Sequence, residues 1–419
     1  MSKSILNQTY SFPVLQSKHY LILFMVWPFL AFISALTNYN QKETRRVVYF
    51  FLIYYGLTFV IPNIGSDSEE YARRLKSFSE LPFSDFFKML RGLYSSDTSV
   101  DIVAPFIFFI VSRFTSQPNL LFATFAALFG FFYLKSINLL YDRYTEKPNW
   151  NAIILILFFL MVLPVTSING FRMWTAAWIF FFGAYHVILY RDSRYFLITF
   201  GAVLVHFSFL SVNAILVIYF LAGNRNVIYI PLAVASFIVP QLLAPMFQKL
   251  SLGIGGGLQS RYEMYSNEEY AIGRQESIDQ AIWFVKISDL LILYYLVFAL
   301  IFIQLRYRSV MSEKYEKNLF SFLLLFLSFV NFAKVIPSFG GRFQVLFVLF
   351  ATLYLLLFFL KNSGGNIKPL LILGFFPMLL TAALEFRNGT DSINAWILAP
   401  GFGLPLLLPD LSLADFLFN

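Results

Sequence analysis

The chain of 419 residues is 58% hydrophobic and 20% aromatic but only 13% charged, which excludes a water-soluble globule of this size for want of polar surface. Its net charge of +8 would suit nucleic acid in a soluble protein, but the basic residues concentrate in short connections between apolar runs, where they control topology. Zero cysteines exclude a disulfide framework, thiol chemistry and cysteine metal sites.

Apolar runs of about 16 to 24 residues recur along the chain, the length at which an α-helix crosses a bilayer core. They are apolar all round, unlike the alternating segments of a β-barrel. The expected fold is all-α, a single integral membrane domain over 1–419 with about twelve spans and both termini outside. Lys3, Lys18 and His19 precede the first run, 19–37, which lacks a small-residue cleavage pattern and is expected to stay as a helix. Basic connections are read as cytoplasmic: Lys42, Arg45 and Arg46; Arg191 and Arg194; Arg225; Arg306, Arg308, Lys314 and Lys317; Lys361 and Lys368. The outward segments are then 63–100, 166–171, 206–208, 248–281, 337–342 and 387 onward.

The first outward loop, 63–100, carries Gly65-Ser66-Asp67-Ser68-Glu69-Glu70-Tyr71, then Arg73 and Arg74, then an amphipathic stretch over 82–94. Three apolar runs follow before the next outward segment, 101–114, 119–141 and 151–167, where parity demands an even number. The short run 101–114, bounded by Asp101 and Arg113, is expected to lie in the interface or re-enter, which makes 142–149 cytoplasmic. At the far end, Pro400, Pro405 and Pro409 break 393–409 too often for a clean span. The loop 248–281 is the other large outward connection, and its glycines are not followed by a phosphate-loop pattern.

A charge in the bilayer costs about 2.5 to 3.5 kcal/mol on insertion scales, so unusual polar residues mark pairs or water-filled cavities. Here they gather on the outward side: Asp67, Arg172 in Asn169-Gly170-Phe171-Arg172, His206, Arg261 with Tyr262 and Tyr265, Lys334, and Arg342 after Gly340-Gly341. Snorkelling to headgroups is the plain alternative for Arg172, Lys334 and Arg342, and Lys286 with Asp289 reads as a mutually neutralising pair on one helical face. With only His19 and His186 besides His206, neither a zinc site nor any other cofactor is expected. Arginine's charged planar fork suits a pyrophosphate leaving group on an embedded lipid. Asp67 is the best placed carboxylate to accept the proton of an attacking sugar hydroxyl, and Tyr71, Tyr262 and Tyr265 can pack on sugar faces.

At these residues the chain resembles the EpsG-like proteins, within the Wzy-type polymerases of bacterial exopolysaccharide, capsule and O-antigen. Gly65-Ser66-Asp67-Ser68 with Tyr71 looks like the family's Gly-x-Asp-x-x-x-Tyr element. Asn169-Gly170-Phe171-Arg172-Met173-Trp174-Thr175-Ala176 is similar to its Asn-x-x-Arg-Gln-x-x-Ala element, with Met173 where glutamine is usual. His206, Arg261-Tyr262-x-x-Tyr265 and Arg342 match a hairpin histidine, a basic-Tyr-x-x-Tyr loop and a late arginine. The usual Arg-rich approach to the aspartate reads Ile61-Pro62-Asn63-Ile64 here.

The resemblance implies a membrane glycosyltransferase, metal-independent, that joins oligosaccharide repeat units carried on polyprenyl (undecaprenyl) pyrophosphate at the outer, periplasmic face of the cytoplasmic membrane. It gives Arg172, Arg261 and Arg342 the pyrophosphate or sugar contacts, Asp67 the role of base and His206 a supporting hydrogen bond. Its expected partners are lipid-linked oligosaccharides and membrane lipid, and it resembles systems with a separate chain-length regulator. Two other readings remain: a flippase of lipid-linked sugars, which would show internal symmetry, and a ligase or acyltransferase acting on surface polysaccharide, for which His206 is the outward base.

Overall fold

The computed structural model describes residues 17–62, 65–91, 101–143, 150–238, 282–334, 340–362 and 368–418. Among them the fold is helical, with an isolated antiparallel bridge between Asn394 and Ser412. The first run is split into α1 (Ser17–Val26) and α2 (Pro28–Thr37), because Pro28 has no N–H to continue the helix. The Val26 carbonyl opened by the break finds a partner within the protein, as membrane depth requires: the Gly401 N–H donates to it at 2.7 Å, and beside it the Trp27 indole Nε1 donates to Leu398 O at 2.9 Å. The proline-broken C-terminal stretch thus folds back beside this break and does not span. It is also tied down by the Tyr54 hydroxyl, which donates to Phe402 O at 2.7 Å.

Next come α3 (Lys42–Leu57), the polar α4 (Asp67–Ser79), the short α5 (Phe83–Arg91), α6 (Val103–Ser112) and α7 (Pro118–Arg143). α3 and α7 pack antiparallel and very close: a Cβ on Gly56 would sit 2.4 Å from Phe122 O. At their far end Arg45 makes a forked ion pair with Asp142, one arm at 3.0 Å. α6 does not traverse the bundle. Its 10 residues reach only about 15 Å, Asp101 before it meets the start of a later helix, and Arg113 after it donates to the backbone oxygens of Phe78 and Leu81 at the end of α4.

α8 (Trp150–Val162) and α9 (Phe171–Tyr190) are joined by a 3-10 turn, Val165–Gly170. They form a hairpin: Phe159 lies against both Trp178 and Phe181, which an uninterrupted helix would hold about 28 Å or more away. α10 (Phe196–Val205), α11 (Phe209–Ala222) and α12 (Asn226–Ile238) are short. α13 (Trp283–Arg306), α14 (Lys314–Ala333), α15 (Gly340–Lys361) and α16 (Lys368–Thr390) are long. α17 (Leu404–Leu407) and α18 (Leu413–Phe418) complete the described chain.

Six stretches among the described residues are long and apolar enough to cross a membrane: Pro118–Asp142, Trp150–Tyr190, Trp283–Arg306, Lys314–Ala333, Gly341–Lys361 and Pro369–Thr390. Helix length alone therefore does not yield the expected count of about twelve. The physical reason is that the first run is broken at Pro28 and α10 to α12 are each 10 to 14 residues. α14 and α15 form the buried centre, each with 89% of its span covered by neighbours, whereas α16 has only 28% covered. Leucines and phenylalanines such as Leu21, Leu197, Leu305 and Phe376 stay exposed on the outside, as a lipid-facing belt requires.

Candidate active site

The polar residues of the first outward loop are organised by the start of α4. Gly65 has φ +95, in the left-handed region that glycine alone enters without strain. The turn it makes delivers Ser66 as the N-cap, whose hydroxyl accepts from the Glu69 N–H at 3.3 Å. Asp67, Glu69 and Glu70 then occupy the first helical turn, where the helix dipole favours acids. Asp67 itself is exposed. One turn on, Tyr71 is buried against Phe108 of α6 and Phe125 of α7.

The 3-10 turn before α9 supplies the facing wall. Phe171 stacks on Phe125 with centroids 3.7 Å apart and planes at 7°, which fixes the first turn of α9. At Gly170 the backbone comes so close that an added Cβ would lie 2.9 Å from the Trp174 ring and 3.8 Å from Asp67 Oδ2. The next side chain but one, Arg172, is thereby aimed at α4 and α6. Its Nε donates to the Tyr71 hydroxyl at 3.4 Å, and its Nη1 donates to Asp101 Oδ2 at 3.0 Å.

Asp101 is the centre of this cluster, with 1% of its side chain exposed. Besides Arg172, it accepts from the Phe207 amide at 2.9 Å and lies 3.3 and 3.4 Å from His206 Nδ1. Burial pushes its pKa up, but the hydrogen bond and field of His206, the charge of Arg172 and the Phe207 amide outweigh it and hold the carboxyl at about 2. Burial pushes the His206 imidazole below its ordinary value, against the opposing pull of Asp101. His206 belongs to the turn between α10 and α11, whose 10 and 14 residues rise only about 15 and 21 Å, short of the roughly 30 Å hydrocarbon core. The turn ends beside Arg172, with which His206 shares Asp101.

Three polar atoms here are buried without a partner: His206 Nε2, Ser208 Oγ and Asn169 Oδ1. Leaving such an atom unpaired costs about 1 to 3 kcal/mol each, a cost that a bound polar group would relieve. Arg342, near the start of α15, adds positive charge close enough to oppose protonation of His206. It is carried there by packing, since Phe343 of α15 meets Phe209 of α11, which in turn lies against His206. No carboxylate among the described residues pairs with Arg342.

The expected residues Asp67, Tyr71, Arg172, His206 and Arg342 are thus gathered at one end of the bundle. Arg261, Tyr262 and Tyr265 lie outside the described residues, as does the loop 248–281. The carboxylate that touches Arg172 and His206 is Asp101, which in the sequence reads as the edge of a short apolar run. A signal was present: a lone acid opening an apolar helix is costly unless something pairs with it.

The sequence matches the EpsG family over residues 46–397, most of the chain. The protein belongs to the EpsG family. Membership makes it a Wzy-type, polymerase-like membrane protein of polysaccharide biosynthesis. No curated protein and no solved structure matches the chain. The candidate site of this EpsG member, from Asp67 to Arg342, falls within the matched region.

Proposed function

We propose that this protein joins oligosaccharide repeat units, each carried on polyprenyl (undecaprenyl) pyrophosphate, into a surface polysaccharide at the outer face of the bacterial cytoplasmic membrane. The observation that carries the reading is a pair of differently held arginines at one end of an apolar bundle. Arg172 is anchored by Asp101 and Tyr71, while Arg342 lacks a carboxylate partner among the described residues and lies close to His206. Their guanidinium forks can hold pyrophosphate oxygens and stabilise the charge that develops as the lipid carrier departs. Family membership supports the class of reaction, and the lipid-facing surface of the helices suits the polyprenyl chain. Arg261 contributes a further cation, while Tyr262 and Tyr265 give the sugars aromatic faces. A separate chain-length regulator is the protein partner such a polymerase would use.

The test is reconstitution of the full chain in lipid vesicles with a defined lipid-linked repeat unit. A ladder of longer lipid-linked glycans from wild type, absent with Arg172→Ala and Arg342→Ala at equal protein, is the expected result. Unchanged units that have merely crossed the bilayer would replace this reading with a flippase.

A further inference from the structure

We infer that Asp101 is a positioning residue that fixes the proton of the His206 imidazole on Nδ1, so that Nε2 takes the proton of the acceptor sugar hydroxyl. The inference rests on the polymerase reading for its substrate, but the tautomer it assigns is a property of the protein alone.

The geometry leaves one consistent arrangement. An ionised carboxylate only accepts hydrogen bonds. Asp101 Oδ1 accepts from the Phe207 amide and Oδ2 from Arg172, and His206 Nδ1 lies within hydrogen-bond distance of both oxygens. Nδ1 must therefore be the donor. In a neutral ring the other nitrogen then carries the lone pair, and Nε2 is the one buried there without a partner. Two further oxygens are buried without a partner, Ser208 Oγ in the turn that carries His206 and Asn169 Oδ1 in the turn that leads to Arg172. A sugar hydroxyl, donor and acceptor at once, can donate to Nε2.

Asp67 is less suited to this role. It is exposed at the start of α4, whereas His206 is held inside the bundle by packing and by Asp101. An imidazole, with an ordinary pKa of about 6.5, is also better matched to proton transfer near neutral pH than a carboxylate.

In the step itself, the acceptor oxygen bonds to the anomeric carbon of the growing chain as that carbon's bond to the pyrophosphate oxygen breaks. The electron pair leaves with the polyprenyl pyrophosphate, held by Arg172 and Arg342. The hydroxyl proton goes to Nε2, Asp101 stabilises the resulting imidazolium, and the proton then passes to water.

The experiment uses the full chain in lipid vesicles, labelled with nitrogen-15 histidine. The chain has three histidines, so His206→Gln assigns the signal by its disappearance. Wild type is expected to show His206 protonated on Nδ1, and Asp101→Asn to shift it towards the Nε2-protonated form. With a lipid-linked repeat unit, Asp101→Asn should lower kcat on the order of 100- to 10,000-fold, as for loss of a general base, with KM little changed. The acid limb of its residual rate should move to lower pH, because Arg172 and Arg342 still face the ring while the compensating carboxylate charge is gone. An Nε2-protonated His206 in wild type overturns the inference, and so does an Asp101→Asn protein with wild-type kcat and pH profile. A wild type that is Nδ1-protonated yet makes no polymer removes the polymerase reading and the proton transfer with it, leaving only the positioning by Asp101.

Discussion

Replacing Arg172 with leucine leaves the Asp101 carboxylate, 1% exposed, without its guanidinium partner. Two hydrogen-bond partners remain, the Phe207 amide and His206, but the charge is no longer neutralised. Removing one member of a buried ion pair costs about 3 to 5 kcal/mol, chiefly because the other charge is left uncompensated. Since a quarter of the Arg172 side chain reaches solvent, the lower end of that range, about 3 kcal/mol, is expected. The double variant Arg172→Leu with Asp101→Asn carries no uncompensated charge, so it should be more stable than Arg172→Leu alone. Equilibrium unfolding in mixed micelles, run as a double-mutant cycle, measures the difference. A loss under about 1 kcal/mol for Arg172→Leu, or strict additivity in the cycle, would refute a coupled buried pair.

The Asp101 carboxyl is depressed to about 2 in the fold, against about 3.9 in an unfolded chain. A depressed carboxyl contributes stability that is complete above the unfolded value and lost as pH falls through the folded one. Wild type should therefore lose more stability than Asp101→Asn between about pH 4 and pH 2, by unfolding at stepped pH. Gly56→Ala places a Cβ against the Phe122 carbonyl at 2.4 Å; it should destabilise by about 1 to 3 kcal/mol, and wild-type thermal stability would contradict the close packing of α3 on α7. Trp27→Phe removes the donor to Leu398 O at 2.9 Å; a loss of about 0.5 to 1.5 kcal/mol and faster proteolysis within 393–409 are expected.

The all-helical class was legible because lipid demands long apolar runs, and such runs are local properties of sequence. How those runs divide was not. The run 19–37 reads as one helix, yet Pro28 breaks it, and the group that satisfies the opened Val26 carbonyl, the Gly401 N–H, comes from the far end of the chain, as does Leu398 O, the acceptor of the Trp27 indole. The short length of α10 and α11 was equally hidden, because Val205-His206-Phe207-Ser208 reads as an ordinary outward turn and not as the tip of a hairpin ending beside Arg172. Motif spacing did bring forward Asp67, Tyr71, Arg172, His206 and Arg342. Asp101 escaped because its partners lie 71 and 105 residues away, a separation that local pattern does not reveal.

The most direct test of the account is the pool of lipid-linked glycans and surface polysaccharide in cells lacking this protein, compared with cells complemented by wild type or by Arg172→Ala. Single lipid-linked repeat units on the outer leaflet without long polymer are expected, restored to polymer by wild type but not by Arg172→Ala. Polymer unchanged by loss of the protein, or units trapped on the inner leaflet, would contradict it.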